Sequence, residues 1–528
     1  MEYIKGSITA PVGFRANGIH CGIRKNKTKR DLALIVSDTI CTAACVYTKN
    51  LVKGAPITVT QQNVADGYAK AIICNSGNAN TCNENGMEIA RGMCNLAAKE
   101  LNINPADVIV ASTGVIGQKL SLDPIASHMK ELCDGLSKEN GIHCTEAIMT
   151  TDTRVKEVAV SFKINGKTCK MGGIAKGSGM IHPDMATMLA FITTDVNISK
   201  ELLQKALSED VKDTFNMISI DGDTSTNDMV SVLANGQAKN SEIKEKNKEY
   251  EIFKKALNAV TSYLSRMIVK DGEGATKLIE CKVINGKTKD ICKTVAKSVI
   301  SSSLVKAAMF GADANWGRIL CAIGYSGADV DIGKIDVSFS NDKETTVKVC
   351  EKGFGVQFSE QLAKTILSYE EITVLINLNS GDAQATAYGC DLTYDYVKIN
   401  GTYTGRSPAV YTEIQQQDCG SQIRRCRNDR RASKKRCNER YCTHVFHRHE
   451  SGTGTRRRSG NNRNAQQDRQ ENRVCKRTES DRPGNRRYRT DGAVRQDKQE
   501  SGIHAAIIRR KSNRYMRTRR KLDKGQED

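Results

Sequence analysis

The stretch AKGSGMIHPDMATMLAFITTD, residues 175–195, runs through a glycine-rich loop to Met185, Ala186 and Thr187 and then directly into an apolar run. A loop entering a buried strand has this pattern. So does a site of self-cleavage, in which Thr187 attacks the carbonyl before it, the Ala186–Thr187 bond breaks and Thr187 becomes a new chain start. A threonine hydroxyl is a poor nucleophile until a base takes its proton. A freed α-amino group, with a pKa of about 7.7–8.0, can do so near neutral pH, where a lysine at about 10.4 is mostly protonated. The small Ala186 leaves room for the strained turn that such an acyl shift requires.

On either side the chain alternates short apolar runs with amphipathic patterns. KAIICNSG (70–77) and DVIVASTG (107–114) read as buried strands that end in glycine-containing loops, and both can deliver site residues. Between Glu249 and Lys270, Phe253, Leu257, Val260, Leu264 and Met267 recur at steps of three and four, one apolar stripe of a helix packed on a sheet. Ser199 is a candidate N-cap for KELLQKAL, and KTVAKSVISSSLVKAAMFG (293–311) reads as helix closed by a glycine. Strand-like runs return at TVLINLN (373–379) and DLTYDYVKIN (391–400). The mixture predicts α+β layers without an internal repeat.

Charge divides the chain more sharply than hydropathy does. Residues 401–528 hold 34 Lys+Arg against 15 Asp+Glu, leaving 46 against 45 for residues 1–400. The near-neutral body therefore gives no reason to expect a nucleic-acid or membrane partner. It shows no signal-peptide pattern at its start and no run approaching the roughly 18 apolar residues of a membrane span. Its 14 cysteines sit singly among apolar residues, which fits buried thiols in a reducing, cytoplasmic setting.

GMIHPDMATML closely resembles the processing site of the self-cleaving ornithine acetyltransferase family. STGVIG (112–117), TTDT (150–153), DGDTSTND (221–228), KDGEGATK (270–277) and NWGRI (315–319) agree with that family in order along nearly all of the first 400 residues. The resemblance implies an α+β fold, a layered α/β/β/α sandwich. It implies autocleavage into residues 1–186 and 187–400, with the products paired into an α2β2 heterotetramer. By position, Thr187 matches the nucleophile, and Thr113 and Gly114 match the oxyanion hole. Thr150, Lys176, Thr187, Glu273 and Asn400 match substrate-binding positions, Lys176 suiting a carboxylate and Glu273 the free amino group of ornithine. The implied reaction is ping-pong: acetyl passes from N-acetylornithine to Thr187 and then to glutamate. No bound cofactor or metal is implied, although acetyl-CoA is a substrate of some members. A related hydrolase, an N-terminal-nucleophile aminopeptidase or amidase, is the alternative, with water in place of glutamate. A binding protein whose glycine loops are only turns would not cut itself.

After Asn400 the apolar period stops, which predicts a disordered basic tail over residues 401–528. Family members end a few residues beyond this asparagine in an ADYRT-like terminus, whereas here Gly405 stands where Thr or Ser is expected. Back-translating ESGTGTRRRSGNN (450–462) with permitted codons and dropping one base can give NPVLVHGGGPEIT, which resembles the phosphate loop of acetylglutamate kinase. In the same phase DCGSQIRRC (418–426) and NRVCKRTESDR (472–482) also resemble that kinase, in the right order. The tail is thus read as an out-of-frame continuation without kinase activity. A basic RNA-binding appendage is the competing reading, with Cys437, Cys442, His444 and His447 drawn as a zinc site. That spacing is loose for zinc, and arginines without interleaved aromatics are poor for base stacking.

Overall fold

The computed structural model describes residues 1–182, 188–341 and 345–402. Its organising element is one long strand, Leu32–Tyr47, whose β-branched residues Ile35, Val36, Thr39, Ile40, Thr42 and Val46 favour extended chain. Residues 32–36 pair with Tyr68–Asn78 on one side, and residues 32–37 pair with Phe14–Ile19 on the other. Beyond a register shift, residues 41–42 pair again with Tyr68–Asn78, and residues 42–47 pair with Met229–Ala234 on the edge that Phe14–Ile19 occupies earlier in the strand. At the shift Asp38, Thr39 and Ile40 are exposed.

This strand joins the two halves of a nine-stranded sheet. One half holds Phe14–Ile19, Tyr68–Asn78 and Val108–Val115. The other runs from Met229–Ala234 through Leu189–Thr194, Lys167–Lys176 and Lys156–Ile164 to Glu2–Ile4. Ile35, Ile72 and Ile109 of the first half share one buried cluster with Ile174, Phe191 and Leu233 of the second. The intervening residues point outward. Leu34, Ile73 and Val110 pack on helices Gly86–Leu101 and Asp123–Asp134. Val160, Ile192 and Val232 pack on helices Lys200–Asp210 and Lys248–Lys270. The α/β/β/α layering is therefore present, and both of its β-layers come from a single sheet folded over its longest strand. Burial on both faces explains why these strands read as continuous apolar runs rather than as alternation.

A second sheet of seven strands includes Leu278–Gly286, Glu371–Asn377 and Ala383–Cys390. One of its faces is buried, and at one edge of the other face Ile218, Leu278 and Cys390 are buried too, in the cluster around helix Lys248–Lys270. Ile279, Cys281 and Val283 pack under helices Lys289–Ser301, Ser303–Phe310, Trp316–Gly324 and Glu360–Leu367, while Lys282 is exposed.

Several local expectations change. The helix stripe ends on Ile268 rather than on half-buried Met267. Residues 293–311 lie in two helices, because Ser302 turns to extended backbone (ψ 113°) and caps the second by accepting from Val305 N–H. DLTYDYVKIN is not a strand. Its Asp391 side chain binds the Thr276 and Lys277 N–H groups, Thr393 Oγ1 accepts from Tyr396 N–H, and helix Tyr394–Thr402 follows. Most body thiols are buried as expected, but Cys82 and Cys321 are exposed. No helix among the described residues is long and apolar enough to cross a membrane. The tail readings, Gly405 and the cysteine–histidine set included, lie outside the described residues.

Candidate active site

Strands Lys167–Lys176 and Leu189–Thr194 are antiparallel neighbours, with Lys176 opposite Leu189. The glycine loop is the connection between them. Residues 183–187, and with them Ala186 and Thr187, lie outside the described residues, whereas the loop from Lys176 to His182 is held on several sides. Gly177 N–H donates to Asp152 Oδ1 (2.7 Å), Ser178 Oγ meets Thr151 Oγ1 (2.6 Å), and Ser178 O accepts from Glu273 N–H (2.8 Å). Met180 and Ile181 donate their N–H groups to Asp221 (2.5 and 2.8 Å), and His182 O accepts from Thr224 Oγ1 (2.8 Å). The TTDT, DGDTSTND and KDGEGATK blocks thus meet around one loop.

Thr113 and Gly114 end strand Val108–Val115, which lies parallel to Tyr68–Asn78 and pairs irregularly with it at Asn78. Gly114 has φ 135°, and a Cβ there would lie 2.3 Å from the Gly77 carbonyl carbon, so only glycine fits. Lys176 Nζ donates to Thr113 Oγ1 at 3.2 Å, joining the proposed oxyanion donor to the proposed carboxylate partner. Both side chains are buried, at 9% and 8% exposure. Burial pushes the Lys176 amine below its ordinary pKa, against the opposing pull of Asp152.

Beneath the loop lies an ionic group to which sequence reasoning assigned no role. Fully buried Lys156 bridges Asp152 Oδ1 (2.7 Å) and Asp271 Oδ2 (2.5 Å). Asp152 also accepts from Thr150 N–H (2.8 Å), and Asp271 from the N–H groups of Thr153 and Arg154 (3.1 and 3.2 Å). Burial acts to raise the Asp152 carboxyl, but Lys156 and Lys176 outweigh it and hold the group well below the usual carboxylate range. Thr150 therefore reaches the site through Asp152. Asp152 and Asp271 stand inside blocks already singled out, but nothing local marks them as partners of one lysine.

Glu273 closes the other end. Its carboxylate lies over Gly179, where a Cβ would sit 2.6 Å from it, and Oε2 accepts from Asn400 Nδ2 at 2.8 Å. Tyr396 Oη reaches Asp221 at 3.4 Å, and burial with these nearby acids pushes its phenol above the ordinary value. Asp228 is a further group missed from sequence: it is buried, Oδ2 has no hydrogen-bond partner among the described residues, and burial raises its carboxyl well above the usual range. Its only signal was its place at the end of DGDTSTND.

The sequence profile of the ArgJ family matches residues 15–405. The chain belongs to the ArgJ family. An arginine biosynthesis bifunctional protein ArgJ from Caldanaerobacter subterraneus subsp. tengcongensis is 49% identical over 404 residues, which is 76% of this chain and all of that protein. ArgJ 1 of Clostridium acetobutylicum, which carries the same description, is 51% identical over 398 residues, 75% of this chain and 97% of that one. A crystal structure of ArgJ from Bacillus halodurans is 45% identical and covers 41% of this chain and 100% of its own, with a TM-score of 0.39.

Proposed function

We propose that this ArgJ-family chain, an acyltransferase of arginine biosynthesis, cuts itself between Ala186 and Thr187 and moves acetyl from N-acetylornithine to glutamate through an ester on Thr187. The carrying observation is that Thr113, Lys176, Asp152 and Glu273 meet on the loop that leads to Thr187. In the first half-reaction the Thr187 hydroxyl attacks the acetyl carbonyl, and its own α-amino group takes the proton. Donors at Thr113 and Gly114 stabilise the charge that grows on the carbonyl oxygen. Ornithine leaves with that proton. The amine of glutamate then attacks the ester, its proton passes by way of the Thr187 α-amino group to Thr187 Oγ, and the C–O bond breaks to give N-acetylglutamate and the free Thr187 hydroxyl. Lys176 pairs with the substrate carboxylate, while Glu273, supported by Asn400, pairs with the free amino group of ornithine or its acetylated form. The relatives' description as bifunctional supports acetyl-CoA as a second acetyl donor.

The two products would share one sheet, since strands Leu189–Thr194 and Met229–Ala234 lie between Lys167–Lys176 and Leu32–Tyr47. They would therefore separate only on denaturation, and we propose that they pair again as an α2β2 assembly. The 14 free cysteines among the described residues support a cytoplasmic setting. For residues 401–528 we retain the out-of-frame reading, because the family match ends at residue 405.

The test is the fate of acetyl from N-acetylornithine with and without glutamate. Formation of N-acetylglutamate in step with ornithine supports the transferase. Release of acetate at the same rate whether or not glutamate is present would contradict it and favour the hydrolase.

A further inference from the structure

The side-chain amide of Asn227 is fully used. Oδ1 accepts from Thr81 Oγ1 (2.5 Å) and Thr226 Oγ1 (2.6 Å), and Nδ2 donates to the carbonyls of Ala79 (2.5 Å) and Ser112 (3.0 Å). These are both acceptor sites and both donors that the group possesses. Asn227 is buried, and a Cβ on Gly54 would lie 2.6 Å from its Nδ2, so the amide is also walled in sterically. Ala79, Thr81 and Ser112 precede the proposed cut and Asn227 follows it, so these bonds would tie the two products together.

The tie falls directly behind the Thr113–Gly114 turn. A single Nδ2 holds both the Ser112 carbonyl and the Ala79 carbonyl, and Ala79 N–H in turn donates to Val115 O at 2.9 Å. On the same strand, Ser112 Oγ donates to Asn75 Oδ1 at 2.6 Å. Because the peptide unit is planar, holding the Ser112 oxygen fixes the position of the Thr113 Cα. The Cβ that carries the Thr113 hydroxyl is bonded to that atom, and the Gly114 N–H follows one bond rotation later.

We infer that Asn227 is a positioning residue for acetyl transfer: by holding the Ser112–Thr113 peptide plane from across the proposed cut, it aims the oxyanion donors at Thr113 and Gly114. This rests on the proposed function, in which those two residues meet the developing negative charge. Asn227 does not touch substrate. Its effect belongs to the transition state, where donor aim matters, and not to ground-state binding by Lys176 and Glu273.

The test uses the full chain with N-acetylornithine and glutamate. Asn227→Asp keeps the shape and the Oδ1 acceptor but turns the donor facing the Ala79 and Ser112 carbonyls into another acceptor. Expected is a fall in kcat of about 100-fold, with the KM for either substrate changed by less than about threefold. Gly54→Ala is the second variant and decides the matter if Asn227→Asp does not fold. Gly54 has φ −64° and ψ 145°, which alanine adopts without strain, so the change acts by pressing a methyl group on the Asn227 amide. It should lower kcat by about 10- to 100-fold, again with KM held. The inference is overturned if the folded variants keep kcat within about threefold of the parent, or if the loss lies in KM. In that case parental transfer leaves the proposed function standing. A parent that makes no N-acetylglutamate would overturn the proposed function and this inference with it.

Discussion

The two ends of the candidate site are built differently. At the Thr113 end, the Thr113 donor and Lys176 are buried, Gly114, although open to solvent, is pressed on the Gly77–Asn78 backbone, and Lys176 is hydrogen-bonded to Thr113. At the Glu273 end, a half-buried carboxylate takes one side-chain hydrogen bond from an exposed asparagine on the short helix Tyr394–Thr402. In the proposed reaction, rigid support therefore sits where charge would develop, and the adjustable part sits where a substrate amine would only be held. That is the division expected when a site spends its rigidity on the transition state.

Four substitutions test this contrast. Gly114→Ala should do the most: its Cβ has no room and its φ suits only glycine, so steady-state kcat should fall by at least about 100-fold. Asp152→Asn leaves Lys156 and Lys176 undercompensated in a buried place and should cost about 3–5 kcal/mol in denaturant unfolding at pH 7. Because the folded Asp152 carboxyl lies below its unfolded value, its stabilisation is complete above about pH 4 and is lost as pH falls toward the folded value. The gap between parent and variant should accordingly narrow in acid. A gap independent of pH would show that Asp152 works through shape alone. Glu273→Gln should raise the KM for N-acetylornithine about tenfold with little change in kcat, which initial-rate kinetics would separate. Asn400→Ala should raise it only about two- to fivefold. Equal damage from Asn400→Ala and Gly114→Ala would abolish the contrast.

Much of this was legible in the sequence. Apolar runs such as DVIVASTG marked strands that are buried on both faces, and the Phe253–Leu264 stripe marked a helix. Resemblance to a family named Thr113, Gly114, Lys176 and Glu273 together. The Asp152–Lys156–Asp271 group was not legible, because Lys156 and Asp271 lie 115 residues apart and nothing local marks them as partners. Asn227 was hidden for the same reason: three of its four partners come from distant parts of the chain. DLTYDYVKIN misled in the other direction. Its aromatic and β-branched residues favour a strand, but Asp391 anchors the chain to Thr276 and Lys277, and a helix begins after Thr393.

The most direct test of the central claim is the intact mass of the purified chain under denaturing conditions, beside Thr187→Ala. Two fragments from the parent, the second starting at Thr187, and one uncut chain from the variant are the predicted result. A single uncut chain from both would contradict the self-processing nucleophile.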